Sequence, residues 1–99
     1  MNKGIVDAVI DRSGGLCENC YSIGHELHHI IYGLGRRKQC ERVESVILLC
    51  YECHRGTNGV HGTYGHKLDL KLKQKLQQTY FNMGMGDDEV RRWMGGMLY

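Results

Sequence analysis

Apolar positions recur along this chain with two different periods, and the change of period marks out its elements. Residues 3–12 carry Ile5, Val6, Val9 and Ile10, the i, i+1, i+4, i+5 spacing of a helix with one apolar face. Gly14 and Gly15 follow, a pair suited to ending it. The strongest periodicity lies at residues 66–82. There Leu68, Leu72 and Leu76 stand four apart and lead to Tyr80, with lysines and glutamines between, which predicts a helix packed through its leucine stripe. After the break at Met83–Gly86, Asp87 is expected to cap a last short helix carrying Val90, Trp93, Met94 and Met97. Asp88 and Glu89 fall in its first turn, where the helix dipole favours acidic side chains.

Between these helices the apolar runs shorten. Glu26–Ile31 and the β-branched Val43–Leu49 read as short strands, Gly33–Gln39 as a glycine- and arginine-rich loop. Cys17–Cys20 and Cys50–Cys53 read as tight turns. No linker interrupts this order, so residues 1–99 are expected to form one small α+β domain. Its core is expected at about 12–65, with flanking N-terminal and C-terminal helices and a helical extension over 66–99.

Composition sharpens the picture. Only 41% of the 99 residues are apolar, with one Trp and one Phe, and fourteen are glycines. Hydrophobic burial alone stabilises a chain of this size weakly, so a further staple is expected. The longest purely apolar stretches, such as Val46–Leu49, fall far short of the ~20 residues that span a membrane. The first residues form no signal-peptide core, so a cytoplasmic setting is expected, where paired cysteines more often hold metal than form disulfides. The formal charge is +2. Four thiolates on one divalent ion would remove two charges and bring the total to about zero, so net charge does not point to nucleic acid. Its distribution says more: Arg36, Arg37 and Lys38 form one basic cluster, and Lys67, Lys71, Lys73 and Lys75 crowd a second segment, an arrangement also usual on a solvated helix face.

The five cysteines and six histidines are the candidate staple. Cys17-x-x-Cys20 and Cys50-x-x-Cys53 are knuckles 29 residues apart. A two-residue gap lets both thiolates reach one tetrahedral ion at about 2.3 Å, and two knuckles complete a closed four-sulfur zinc site. A thiol redox pair is the alternative, but no thioredoxin-like βαβ pattern surrounds either knuckle. Cys40 has no partner at knuckle spacing and reads as a free or half-buried thiol. A closed four-cysteine site does no chemistry by itself. His28 and His29, adjacent on a strand, point to opposite faces and could approach one site from two sides. His54 directly follows Cys53; Asn58 lies four residues further on and His61 seven.

Cys17-x-x-Cys20, Glu26-Leu27-His28-His29-Ile30-Ile31 and Leu48-Leu49-Cys50-x-x-Cys53-His54 together resemble the HNH, or ββα-metal, endonucleases. The Arg36-Arg37 loop and Gly59-Val60-His61-Gly62 look most like small phage HNH nucleases tied to recombination, of the RecA-dependent type. The resemblance covers about residues 12–65. It implies two short antiparallel strands and a helix around a catalytic divalent metal, with a separate structural zinc on Cys17, Cys20, Cys50 and Cys53. In this resemblance His28 matches a metal ligand, His29 the general base and His54 a ligand on the motif helix. His61 matches the third ligand, with Asn58 as the alternative. The family usually carries Asn five residues before the third cysteine, where it holds the loop that positions the base; here Ser45 stands there.

The expected chemistry is phosphodiester hydrolysis. An imidazole can take a proton from water near neutral pH. One ion (Mg²⁺ or Mn²⁺, with Ni²⁺ or Zn²⁺ as alternatives) on three ligands keeps positions open for a phosphate oxygen and the leaving oxygen. Arg36, Arg37 and Lys38 would hold flanking phosphates without reading sequence. DNA is the expected partner, with a recombination or replication protein as a second. The competing reading is a non-catalytic zinc-stapled module that binds DNA or protein.

Overall fold

A computed structural model describes residues 1–33 and 35–99. The elements in chain order are α1 (Lys3–Ser13), β1 (Glu26–His29), α2 (Arg36–Gln39), β2 (Val46–Leu49), α3 (Tyr51–Arg55), α4 (His66–Asn82) and α5 (Asp87–Trp93). Among the described residues, no helix is long and apolar enough to cross a membrane.

The organising element is the antiparallel pair β1–β2, in register Glu26↔Leu49, Leu27↔Leu48, His28↔Ile47 and His29↔Val46. All four residues of β2 are buried, because both faces of the ribbon are covered. Val46 and Leu48 face α1, where Val9 completes a small cluster edged by Ile5, Leu27 and Val43. Ile47 and Leu49 face the larger cluster built with Leu72, Leu76 and Tyr80 of α4 and Val90 and Met94 near α5. Directly opposed residues of an antiparallel pair share a face. His28 therefore lies on the α4 side with Ile47, and His29 on the α1 side with Val46.

The ends of α1 follow the local chemistry. The Asn2 side chain accepts from the Gly4 and Ile5 amides, and Gly14 closes the helix at φ 64°. Arg12 then ties α1 to the ribbon. Its guanidinium grips both Glu18 oxygens (2.6 and 2.9 Å) and donates to the Val43 and Val46 carbonyls (2.7 and 2.6 Å). Glu18 in turn accepts from the Leu48 amide at 2.9 Å.

Four expectations need correction. The strand expected over Glu26–Ile31 ends at His29, since Ile30 and Ile31 leave the ribbon for the main core. The strand expected from Val43 starts at Val46, because residues 42–45 turn back on themselves through the Ser45 amide and the Arg42 carbonyl (3.1 Å). The loop expected over Gly33–Gln39 contains one helical turn, Arg36–Gln39, entered from Gly35 at φ 75°; residue 34 lies outside the described residues. Asp87 lies inside α5, not at its cap. Gly86 is the cap residue, and Asp87, Asp88 and Glu89 fill the first turn, where they complement the helix dipole.

Candidate metal centres

Two clusters of ligating side chains meet at α3, which supplies Cys53 to one and His54 to the other. The register Glu26↔Leu49 places the start of β1 beside the end of β2, so the chain just before β1 and just after β2 must meet. The first knuckle is pinned there by Glu18 N to Leu48 O (2.8 Å) and His25 N to Leu49 O (2.9 Å). The second knuckle is the entry to α3, not a separate turn: Cys50 is its N-cap, and its sulfur accepts from the Cys53 amide at 3.4 Å. This is why knuckles 29 residues apart converge.

The four sulfurs of Cys17, Cys20, Cys50 and Cys53 lie within 4.8 Å of one another, and could hold one ion such as zinc. Cys20 Sγ and Cys50 Sγ are 3.6 Å apart. Two thiolates on one tetrahedral zinc ion stand about 3.8 Å apart, so the donor set fits. Ser22 holds Cys20 Sγ at 2.9 Å, and Asn19 Nδ2 donates to Cys53 Sγ at 3.3 Å. The Ser22 hydrogen bonds bring the Cys20 thiol down to about 6. Burial pushes the Cys53 thiol up to about 12, a penalty that a neighbouring cation offsets. Cys40 lies elsewhere. It is buried in the main core, not half-buried, and burial raises its thiol.

The second cluster joins His28 of β1, His54 of α3 and His61. Ring centroids are 5.2 Å apart for His28–His54, 5.1 Å for His28–His61 and 4.7 Å for His54–His61, and one nitrogen from each lies within 4.8 Å of the others. His28 and His54 are buried and His61 is exposed. The Nε2 atom of His28 is buried and has no hydrogen-bond partner among the described residues. An orphaned buried nitrogen costs about 1–3 kcal/mol unless something fills its lone pair. Burial, and next the His54 and His61 rings, push His28 down to about 3, which keeps its imidazole in the neutral, ligating form at physiological pH. Burial likewise lowers His61.

A carboxylate stands behind one of these rings. Glu26 Oε1 lies 3.1 Å from His54 Nδ1, and Arg55 holds the same carboxylate at 2.8 and 3.2 Å. Arg55 first, and His54 second, bring the Glu26 carboxyl down to about 2. A proton on His54 Nδ1 leaves Nε2 as its lone-pair atom, the arrangement that orients metal-binding imidazoles. Tyr32 lies 5.9 Å from both the His28 and His61 rings. Lys73, paired with Asp69 at 2.9 Å, sits over the Tyr32 ring at 4.8 Å and backs it from α4.

His61 reaches this cluster through an unusual backbone. After α3, glycines recur at 56, 59, 62 and 65, and the chain winds so that each of the last three donates to the one before (2.9, 2.8 and 3.1 Å). Longer bonds stitch the winding to α3, among them His61 N to His54 O at 2.9 Å and Val60 N to Cys53 O at 2.9 Å. A Cβ on Gly62 would collide with the Gly56 carbonyl, and one on Gly65 with that of Gly59.

An open cleft of about 710 Å³ exposes the cluster, with His29, Arg37 and Arg55 also on its walls. His29 arrives from the other face of β1, its Nε2 atom 2.7 Å from Glu41 Oε1. Arg36 and Lys38 do not line this cleft. The Arg36 stem runs past Gly33 and Gly95, while Lys38 borders a second cavity shared with His29, Arg37 and Glu41. Asn58 lies in a pocket with Asn19, Glu52 and Cys53, beside the cysteine cluster, because α3 ends at Arg55 and no helical turn carries Asn58 back. Sequence reasoning missed Glu26 and Glu41 as partners of His54 and His29. Both pairings cross more than ten residues of chain, and a single acidic residue gives no periodic signal of such a contact.

Comparisons with protein-family models, with curated proteins and with solved structures gave no match to this chain.

Proposed function

We propose that the chain is a metal-dependent DNA endonuclease of the HNH, ββα-metal type, hydrolysing phosphodiester bonds with a single catalytic divalent ion. The observation that carries this reading is the orphaned, neutral His28 nitrogen, gathered with His54 and His61 at an open cleft that His29 also lines. His28, His54 and His61 would hold the divalent cation, which when bound would offer positive charge to a phosphoryl oxygen and the leaving oxygen. His29 takes the proton of the attacking water. Arg37 and Arg55, on the cleft walls, neutralise flanking phosphates and make the contact insensitive to sequence. Glu26 fixes the His54 ring. The four-cysteine zinc site is structural and stays out of the reaction. This chemistry suits phage-type DNA processing or recombination, with a replication or recombination protein delivering the substrate.

The test is supercoiled-plasmid cleavage by protein that keeps one zinc per chain after mild chelation, resupplied with Mg²⁺, Mn²⁺, Ni²⁺ or Zn²⁺. Nicked or linear product with at least one ion is expected, and none without. DNA binding with no cleavage under any ion would overturn the proposal in favour of the zinc-stapled binding module.

A further inference from the structure

We propose that Glu41 is the positioning residue of His29, held on a turn that Ser45 fixes. The inference deepens the reading above and rests on its assignment of His29 as the general base. An ionised carboxylate only accepts hydrogen bonds, so the 2.7 Å contact from Glu41 Oε1 requires the proton on His29 Nε2. The lone pair is then on Nδ1, which has no hydrogen-bond partner among the described residues. The His29 and Glu41 side chains are 15% and 19% exposed. The hydrogen bond is therefore partly shielded from the water that competes for exposed ones.

A glutamate side chain is flexible, and a positioning role needs its backbone fixed. Ser45 does this from both sides. Its hydroxyl donates to the Cys40 carbonyl (2.6 Å) and accepts from the Arg42 amide (2.8 Å), the two residues that flank Glu41. Its own carbonyl accepts from the Ile30 amide (2.9 Å), the residue that follows His29. One side chain, 2% exposed, thus ties together the strand end bearing the base and the turn bearing its partner. Arg42 is anchored in turn, its guanidinium 3.4 Å above the Trp93 ring of α5. A hydroxyl that both donates and accepts suffices here, although the related position of the resembled family carries an amide.

The test uses the full, zinc-loaded chain with ¹⁵N-labelled histidine. In the wild type, the His29 ring proton should reside on Nε2 and exchange slowly with solvent. In Glu41→Ala, that signal should vanish, and kcat for plasmid nicking should fall about 10- to 100-fold with KM little changed. Glu41→Gln, whose amide oxygen still accepts, should recover most of the rate. Ser45→Ala should move both readouts the same way by a smaller amount. A wild-type proton on Nδ1, an unchanged kcat in Glu41→Ala, or a loss confined to KM would overturn the proposal. If the wild type cuts no DNA, the nuclease reading fails by itself. The ring signal still decides this inference: a protected Nε2 proton lost in Glu41→Ala upholds it, and an exchanging one overturns it.

Discussion

The two clusters of soft and borderline ligands lean on the same short helix, yet they are built to opposite rules. Around α3, the sulfur cluster has four donors, enough to fill every position of a tetrahedral ion, with backbone and side-chain N–H groups aimed at its sulfurs. The imidazole cluster has three donors, a carboxylate behind one ring, and one exposed ring at an open cleft. A saturated tetrahedron stabilises a fold; an unsaturated one keeps positions free for chemistry. The difference teaches where stability and reactivity are divided in a chain too small to supply both from one core.

The comparison breaks most violently at the sulfur end. Cys50→Ser removes one of the four candidate zinc ligands and the sulfur that caps α3, and structural zinc in small domains contributes on the order of 10 kcal/mol, above the net stability of such a chain. The variant should be unfolded or insoluble, as circular dichroism and zinc content would register. A zinc-free protein with a cooperative melt would refute this.

Substitutions in the imidazole cluster should leave the fold standing and remove activity. His29→Ala should keep zinc, fold and DNA affinity while cleavage falls roughly 10²–10⁴-fold. His28→Ala should instead weaken binding of the proposed catalytic ion, so that added ion restores part of the rate. Plasmid relaxation across a metal titration separates the two.

Cys40→Ser sharpens the contrast among the cysteines. Because Cys40 is buried in the core, its hydroxyl analogue should cost about 1–2 kcal/mol, read from the denaturant midpoint, with zinc content unchanged. On sequence alone the same change would be close to neutral.

The smallest effect tests what an orphaned polar atom means. The Tyr80 hydroxyl, like His28 Nε2, is buried without a hydrogen-bond partner among the described residues, but it lies in the main core, with Glu44, Arg42 and Ser45 near it and no cluster of imidazoles around it. Tyr80→Phe should therefore be neutral or stabilising by up to about 1 kcal/mol. Burial raises the Tyr80 phenol to about 12. The folded state holds its proton while the unfolded chain, near 10, loses it. Wild-type stability should decline between about pH 10 and 12 more than that of Tyr80→Phe, measured by denaturant melts.

The longer helices α1 and α4 were legible in the sequence because each shows a period, whereas the short α2 and α3 fall where a loop and a tight turn were expected. Leu68, Leu72, Leu76 and Tyr80 mark α4 from His66 to Asn82, and Ile5 to Ile10 mark α1. The strand limits were less so: Ile30 and Ile31 are as β-branched as any strand residue, and only tertiary packing takes them away. The knuckles were visible as spacing, as was the opposite facing of His28 and His29, because a strand alternates. What no pattern could show was which lone carboxylate meets which imidazole. Glu26 and Glu41 acquire their partners through the β1–β2 register and the Ser45 turn, both products of the folded chain.

The glycine winding after α3 has a consequence for how this protein tolerates variation. A ligand set is ordinarily thought to be guarded at the ligands themselves, with their surroundings free to drift. Here the approach of His61 to His54 is set by main chain lying on main chain, with no space for even a methyl group on Gly62 or Gly65. A saturation scan would find these positions, which carry no functional group at all, nearly as intolerant as the histidines they bring together.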